Sequence, residues 1–575
     1  MKPQGAPGVI GLLLGVLIGV ACQGQGRTGP AEPRFYFGAD LSYVNEMEDC
    51  GAVYREDGEP KDPFVLFRAH GANLARARLW HDPDWTKYST LEDVKRTFRR
   101  AQEAGMETVL DFHYSDTWAD PGRQEIPAAW ASLQDEDELA AALYQYTYDV
   151  LLELHHDGLM PDFVQIGNET NAGLLKERVV LDWPRDAKLF QAGIRAVRNA
   201  AQATRTSPRI ILHVAQPENA GWWFREAAEY GIHDFDIIGV SYYPQWSSLS
   251  ISGMASQAND LHRTFGKEVM VVETGYPWTL DSVSETAGNV LTQGEAGYPM
   301  SPAGQLQFMR DLTQALIHNG ALGVVYWEPA WVSTACSTRW GQGSHWENAT
   351  FFDFENNNEL LPGIAYMSAS YSFPNEVVDG VLQQAYGHPL VEDAAGDALQ
   401  DLPELDLRSL HVLEDSEFLS FALTVAGDVL ESPGTRYRFY FDVTEDDEGA
   451  TADIGKRPIL IDDPFRPEFA LEVQIAGDRS TAAPDATFNV WSGIAWESSA
   501  FTGGMAIEGE APSVIEVHIA KKLLGQPAFL NVAVLSAGRV LTHTTADVLG
   551  SSAVPADTTD EVSISSFERI ELASN

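Results

Sequence analysis

The chain has 575 residues, 83 of them acidic and 38 basic, for a formal net charge of −45. So acidic a chain excludes nucleic-acid binding through a general basic surface, which needs Lys and Arg to displace counterions, and it disfavours docking on anionic lipid. Hydrophobic residues at 44% exclude global disorder and suffice for packed cores. The charge is uneven: residues 376–575 hold 35 acidic against 11 basic residues. That composition shift separates two domains of different character. The 15 Trp suggest flat platforms of the kind sugars stack on, with core filling as the alternative.

Residues 1–22 have the pattern of a signal peptide. Lys2 supplies one positive charge, and Val9–Val20 is an apolar run too short for a comfortable transmembrane helix. The run ends Val20-Ala21-Cys22 and resembles a lipoprotein processing site, although Gly19 stands where Leu is usual. Ordinary secretion is the alternative. Residues 23–33 are rich in Gly, Pro and Gln and form a linker. The expected location is therefore outside the cytoplasm: a cell-surface or outer-membrane lipoprotein held through Cys22, or a secreted or periplasmic protein. With Cys22 lipidated, only Cys50 and Cys336 remain. They can pair in an oxidising compartment, but sequence does not say whether they meet.

Residues 34–375 alternate strand and helix. The strands are Phe35–Asp40, Ala72–Leu79, Thr108–Phe112, Phe163–Ile166, Ile210–Val214, Ile237–Ser241, Val269–Val272 and Val324–Tyr326. Helical patterns lie between them, among them Thr90–Ala104, Asp137–Leu154 and Ala187–Ala203. Eight such units predict a (β/α)8 TIM barrel, an α/β fold. A doubly wound sheet is disfavoured because no Gly-rich phosphate loop follows any strand. Residues 376–404 are expected as a linker. From 405 to 550 the pattern has period two, as in Leu419–Val425, Tyr437–Val443, Phe469–Ile475, Val514–Ile519 and Phe529–Leu535. This predicts an all-β sandwich, followed by a C-terminal segment at 551–575.

Each barrel strand ends in a polar or aromatic cluster, where this fold places its chemistry. Glu169 follows strand four and Glu273 strand seven, so they face each other across the mouth. Two carboxyl groups across a cleft suit glycosidic bond cleavage, one as acid/base and one as nucleophile. Asn168 beside Glu169 is placed to bond a sugar hydroxyl. Arg76 and Arg78 share strand parity, and either can hold Glu273 ionised. Asp40, His113, Trp118, Trp246 and Trp327 complete the expected substrate contacts with Tyr242, although Tyr243 competes with Tyr242 as the donor to Glu273. Trp80, Trp85, Trp278 and Trp331 are further loop aromatics.

The asparagine–glutamate pair after strand four and the glutamate after strand seven resemble the large clan of retaining glycosidases. Longer strings narrow the resemblance: Phe112-His113-Tyr114-Ser115-Asp116-Thr117-Trp118-Ala119-Asp120-Pro121-Gly122, Ile166-Gly167-Asn168-Glu169-Thr170-Asn171-Ala172-Gly173, Val272-Glu273-Thr274-Gly275-Tyr276-Pro277-Trp278 and Tyr326-Trp327-Glu328-Pro329-Ala330-Trp331. Together they are similar to glycoside hydrolase family 53, the arabinogalactan endo-β-1,4-galactanases, over Phe35 to Met367. The resemblance implies hydrolysis of β-1,4-galactan with retention, Glu169 as acid/base and Glu273 as nucleophile. It also implies Arg76 rather than Arg78 in the active site, and Trp327 as a floor under the bound sugar. The segment after His213 departs from the family pattern, which puts subsite contacts there in doubt.

No cofactor is required by this chemistry. Structural calcium is an open option at Asp281, Glu285, Asn289 and Glu295 or at Asp442, Asp446, Asp447 and Asp453. The sandwich resembles carbohydrate-binding modules of family 9 in general pattern only; Trp491 and Trp496 are its candidate sugar platform. The expected partner is galactan or arabinogalactan, with no nucleic acid, membrane contact only through Cys22, and a monomeric state. Another β-glycanase activity of the clan, an exo-galactosidase, or a non-catalytic glycan-binding lipoprotein are the competing readings.

Overall fold

The computed structural model describes residues 35–572 except 134, 177–179, 285–287, 374–377, 395, 399–401, 445–448, 456–457, 462–464, 477–482, 539–544, 550–561 and 565–566. The expected leader, the linker at 23–33 and Cys22 lie outside the described residues, as do Glu285, Asp446 and Asp447.

Eight parallel strands close into a barrel: β1 (Tyr36–Asp40), β2 (Leu74–Leu79), β3 (Glu107–Phe112), β4 (Phe163–Ile166), β5 (Arg209–Ala215), β6 (Ile237–Tyr242), β7 (Glu268–Thr274) and β8 (Gly323–Tyr326). Each matches an expected strand to within a few residues. Helices wrap the outside. Leu91–Glu103 starts at Thr90, whose hydroxyl accepts the Asp93 N–H, and Glu136–His156 starts at Asp135, which accepts two N–H groups. These caps satisfy donors that a helix start leaves orphaned. The barrel interior begins with an apolar layer that includes Tyr36, Leu74, Val109, Phe163, Ile211, Ile237, Met270 and Val325. Two residues further along the strands the inward positions become Arg76, Asp111, Gln165 and His213. A packed apolar plug thus supports a polar floor.

Cys50, just after the short helix Val44–Asp49, forms a disulfide with Cys336 in the long segment after β8. It ties together two loops at the C-terminal ends of the barrel strands, across a sequence separation of 286.

The sandwich has two antiparallel sheets. One runs Val391–Glu392, Leu407–Glu414, Phe418–Val425, Ser513–Ala520, Gly504–Glu508; the other runs Trp496–Ala500, Ala483–Trp491, Phe469–Ala476, Arg436–Asp442, Phe529–Ala537, Thr545–Val548. Their inner faces share a core that includes Leu410, Phe421, Phe439, Leu471, Val517 and Val532. Two expectations of irregular chain change. The 376–404 stretch supplies the edge strand Val391–Glu392, and within 551–575 the strand Glu568–Glu571 pairs with Phe529–Val532. Trp491 and Trp496 stand edge to face at 66° rather than side by side, which gives no flat shared platform. Asp442 accepts from the Asn531 amide (2.9 Å), and Asp453 pairs with Arg438 (3.4 Å), so protein donors serve both.

Barrel and sandwich belong to one compact unit. The contact runs along outer helices. Ser250 and Ser252 donate to Asp485, Asn259 donates to Val378 O, Arg263 pairs with Glu508 (2.7 Å), and His318 donates to Thr502 O. The sandwich therefore braces the barrel's flank.

Candidate active site

Strand alternation decides which side chains reach the mouth. At the end of β6, Ser241 and the following Tyr243 point inward while Tyr242 points out. Tyr242 was expected on the substrate. Instead it is fully buried in the helix layer, stacked on Phe308, with its hydroxyl on Leu249 O (3.1 Å). Tyr243 takes the expected place and donates to Glu273 Oε2 (3.3 Å).

Glu273 reaches the mouth by a break in the same rule. Met270 and Val272 both face the apolar interior, so strict alternation would turn Glu273 outward. Here β7 slips against β6: Val240 pairs with Val271, but Ser241 pairs with Glu273. The extra residue is a β-bulge, which re-aims the following side chain.

Glu169 is set by a turn. Gly167 has φ 84° and Glu169 φ 45°, a left-handed conformation rare for a residue with a side chain. The turn is pinned by His213, whose Nδ1 accepts the Glu169 N–H (3.2 Å) and whose carbonyl accepts the Thr170 N–H (2.9 Å). With Nδ1 an acceptor, Nε2 carries the proton and donates to Ser241 Oγ (2.8 Å). Ser241 then donates to Glu169 Oε1 (2.7 Å). Burial first, and then the Arg76 cation, hold the His213 pKa well below its ordinary range, so the ring stays neutral.

Arg76 organises the floor. It donates to Glu273 Oε1 (2.8 Å), Asp40 (2.7 Å), Asp111 (2.9 Å) and the side-chain oxygen Oδ1 of Asn168 (2.9 Å). The two catalytic candidates oppose each other's ionisation by like-charge repulsion. Burial chiefly, opposed by the Ser241 bond, lifts Glu169 to about 7. Burial also presses Glu273 upward, and Arg76 is the strongest opposing influence. The asymmetry of donors decides where the charge rests. Glu273 receives a guanidinium and a phenol, Glu169 a single hydroxyl, so the proton belongs on Glu169.

A cleft of about 380 Å³ lies above these groups. Its lining includes the expected Trp118, Asn168, Glu169, Trp246, Glu273 and Trp327, together with Asp120, Arg123, Tyr243, Trp331, Trp340 and Trp346. Asp40, Arg76 and His113 were expected on the substrate but are not in that lining. They are buried beneath it, because their polar atoms are taken up within the protein. Asp40 accepts from Arg76 and Ser42, and His113 bonds Asp111 (3.0 Å) and the Ala119 N–H (2.9 Å). Arg78 serves a separate purpose. It pairs with the buried Glu328 (2.6 Å) and lies over Tyr43 and Trp118, each at 4.2 Å, which fixes the cleft's aromatic wall.

Ser241, His213, Gln165 and Asp111 were not singled out as site residues. Their signal was parity: each lies two residues from another inward position on its strand. No cofactor is implied by the donor set. Asp281 and Glu295 belong to no three-carboxylate cluster among the described residues.

Residues 36–367 match the model of glycosyl hydrolase family 53. The chain is 52% identical over 353 residues to an arabinogalactan endo-β-1,4-galactanase of Cellvibrio japonicus, covering 60% of this chain and 94% of that one. It is 35% identical to an endo-β-1,4-galactanase of Bacillus subtilis, covering 53% and 72%. Among solved structures, a family 53 catalytic domain from Ignisphaera aggregans superposes with TM-score 0.55 at 31% identity, covering 60% of this chain and 98% of that domain. The family match ends before the sandwich begins.

Proposed function

Because the chain belongs to glycosyl hydrolase family 53, we propose that it cleaves β-1,4-galactosidic bonds within galactan chains by double displacement. The observation that carries this reading is the unequal pair on one aromatic-walled cleft: Glu273 held by Arg76 and Tyr243, Glu169 buried and lifted to about 7. In the first step a Glu273 oxygen attacks the anomeric carbon while Glu169 gives its proton to the departing glycosidic oxygen. In the second, Glu169, now ionised, takes a proton from water as that water attacks the anomeric carbon and releases Glu273. Two inversions give net retention. Trp327 and Trp118 offer apolar faces for the sugar, and the free N–H of the Asn168 amide is available to a sugar hydroxyl.

Incubation with linear β-1,4-galactan and separation of products tests the reading. A ladder of oligomers is expected. Release of galactose alone would refute internal cleavage, and cleavage of mannan or cellulose without galactan would overturn the substrate. Glu169→Ala should retain cleavage of substrates whose leaving group needs no protonation, whereas Glu273→Ala should lose all of it by several orders of magnitude.

We infer in addition that the protein is exported and anchored through Cys22. The leader pattern at Met1–Cys22 and the Cys50–Cys336 disulfide support export. Among the described residues no helix is long and apolar enough to cross a membrane. Retention of the wild-type protein in the membrane fraction, and its release in Cys22→Ser, would support the anchor.

A further inference from the structure

We propose that the sandwich holds a Ca2+ ion between Asp393, Asp397 and Asp547. One carboxylate oxygen from each lies within 4.8 Å of the other two. Asp393 follows the edge strand Val391–Glu392 of one sheet, and Asp547 sits on the edge strand Thr545–Val548 of the other. Asp397 enters from the turn between Asp393 and Leu407, directly after Gly396, whose φ is 77°. Two carboxylates from the segment after one sheet's edge strand and one from the other sheet's edge strand thus converge on one point.

A second observation makes the cluster more than an acidic patch. Both carboxylate oxygens of Asp397 are sealed from solvent and have no hydrogen-bond donor. Asp547 is itself nearly inaccessible, and its two oxygens each accept a backbone N–H, from Leu407 and Val548, both at 2.8 Å. Those bonds orient Asp547 and leave lone pairs on both oxygens. A carboxylate removed from water without a donor is costly, and two more carboxylates beside it raise the cost. A cation at their centre removes both penalties.

The donor set selects the ion. All three ligands are hard carboxylate oxygens, which suit Ca2+ or Mg2+ rather than the softer transition metals. Mg2+ keeps several waters, whereas the carboxylate of Asp397 is shut off from solvent, so the geometry favours Ca2+. The site also has a mechanical consequence. It lies beside the small apolar cluster of Ala398, Leu405 and Ala546, and it would clip the segment leading out of the barrel to both sheets of the sandwich.

The test uses the full chain, stripped with EGTA and then titrated with CaCl2 or MgCl2, beside the variant Asp397→Asn. Calorimetry should show one fewer Ca2+ bound by the variant. In wild type, Ca2+ at 100 times its Kd should raise the melting midpoint of the sandwich by roughly 5–10 °C. In EGTA, Asp397→Asn should melt at or above wild type, because it removes a buried charge, and Ca2+ should then give it a smaller rise. That crossing also shows that the variant folds. Galactan cleavage should be equal in the two proteins. The proposal is overturned if Ca2+ does not raise the wild-type midpoint, if Asp397→Asn keeps the full rise and the same stoichiometry, or if Mg2+ protects as well as Ca2+.

Discussion

Replacing Ser241 with Ala tests the assignment of Glu169 as the acid. Ser241 donates to Glu169 Oε1 at 2.7 Å, and this bond lowers a carboxyl that burial has raised to about 7. A hydrogen bond to a charged acceptor contributes roughly 1.5–3 kcal/mol, and one to a neutral acceptor roughly 0.5–1.5 kcal/mol. Deleting the hydroxyl therefore costs the ionised form about 1 kcal/mol more than the protonated form, which is about one pKa unit upward. The alkaline limb of kcat/KM reports the acid in the free enzyme, so it should move to higher pH by about one unit. Glu169 and Glu273 oppose each other's ionisation, and the limb belongs to the pair; of the two carboxyl groups Ser241 bonds only Glu169, so the direction is unchanged. Initial rates on galactan from pH 5 to 9 measure the shift, with Ser241→Thr as the control that keeps the hydroxyl and the wild-type limb. An alkaline limb that stays in place or moves down would refute Glu169 as the group that must hold the proton.

The neutral Nε2–H form of His213 follows from its acceptor Nδ1 and its buried setting; 15N NMR should show that tautomer from pH 5 to 8, and an imidazolium in that range would contradict the relay. Arg78→Met leaves the buried Glu328 carboxylate uncompensated and should destabilise the barrel by about 3–5 kcal/mol in chemical denaturation, with much of the loss recovered in Arg78→Met/Glu328→Gln; no recovery would mean that Arg78 acts through its aromatic contacts alone. Trp327→Ala removes an apolar face of the cleft and should lower kcat/KM on galactan by about 10- to 100-fold, from roughly 1.5–3 kcal/mol of lost burial; an unchanged value would remove Trp327 from the binding surface. Cys50→Ser/Cys336→Ser should cost about 2–5 kcal/mol of barrel stability, given the long loop the bridge closes; an unchanged denaturation midpoint would show that the bridge does not constrain the unfolded chain.

The fold was legible because its signals are local and repeated. Apolar runs such as Phe163–Ile166 and Ile210–Val214, separated by capped helices, specify a barrel whatever their long-range partners. That Glu169 and Glu273 meet on one cleft was legible from their places after strands four and seven. What sequence could not carry was orientation near the strand ends. Tyr242 and Tyr243 are adjacent and identical in kind, and only the inward parity of Ser241 separates them. Glu273 obeys no parity, because a bulge in β7 turns it, and nothing in Val271-Val272-Glu273 announces a bulge. Asp40, Arg76 and His113 were placed at the right height but one layer too shallow, since depth depends on which donors consume their polar atoms. The meeting of Asp393 with Asp547 depends on two sheets stacking, which no local pattern encodes.

The raised pKa of Glu169 follows from a shortage of cations in the floor. Asp40, Asp111 and Glu273 all accept from the same guanidinium of Arg76. His113 donates to Asp111 from one side, and His213 stays neutral. Three carboxyl groups thus draw on one full positive charge before Glu169 is considered. Ionising Glu169 would add another anion to a buried cluster already in excess, with only a hydroxyl to receive it, which is why burial and its acidic neighbour Asp120 push Glu169 up. The excess is relieved when Glu273 gives up its charge in forming a bond to the sugar. In the proposed double displacement the same floor then tolerates an ionised Glu169, which lets the group proposed as the acid serve as the base of the second step. The coupling between the two carboxyl groups therefore supplies the change of role.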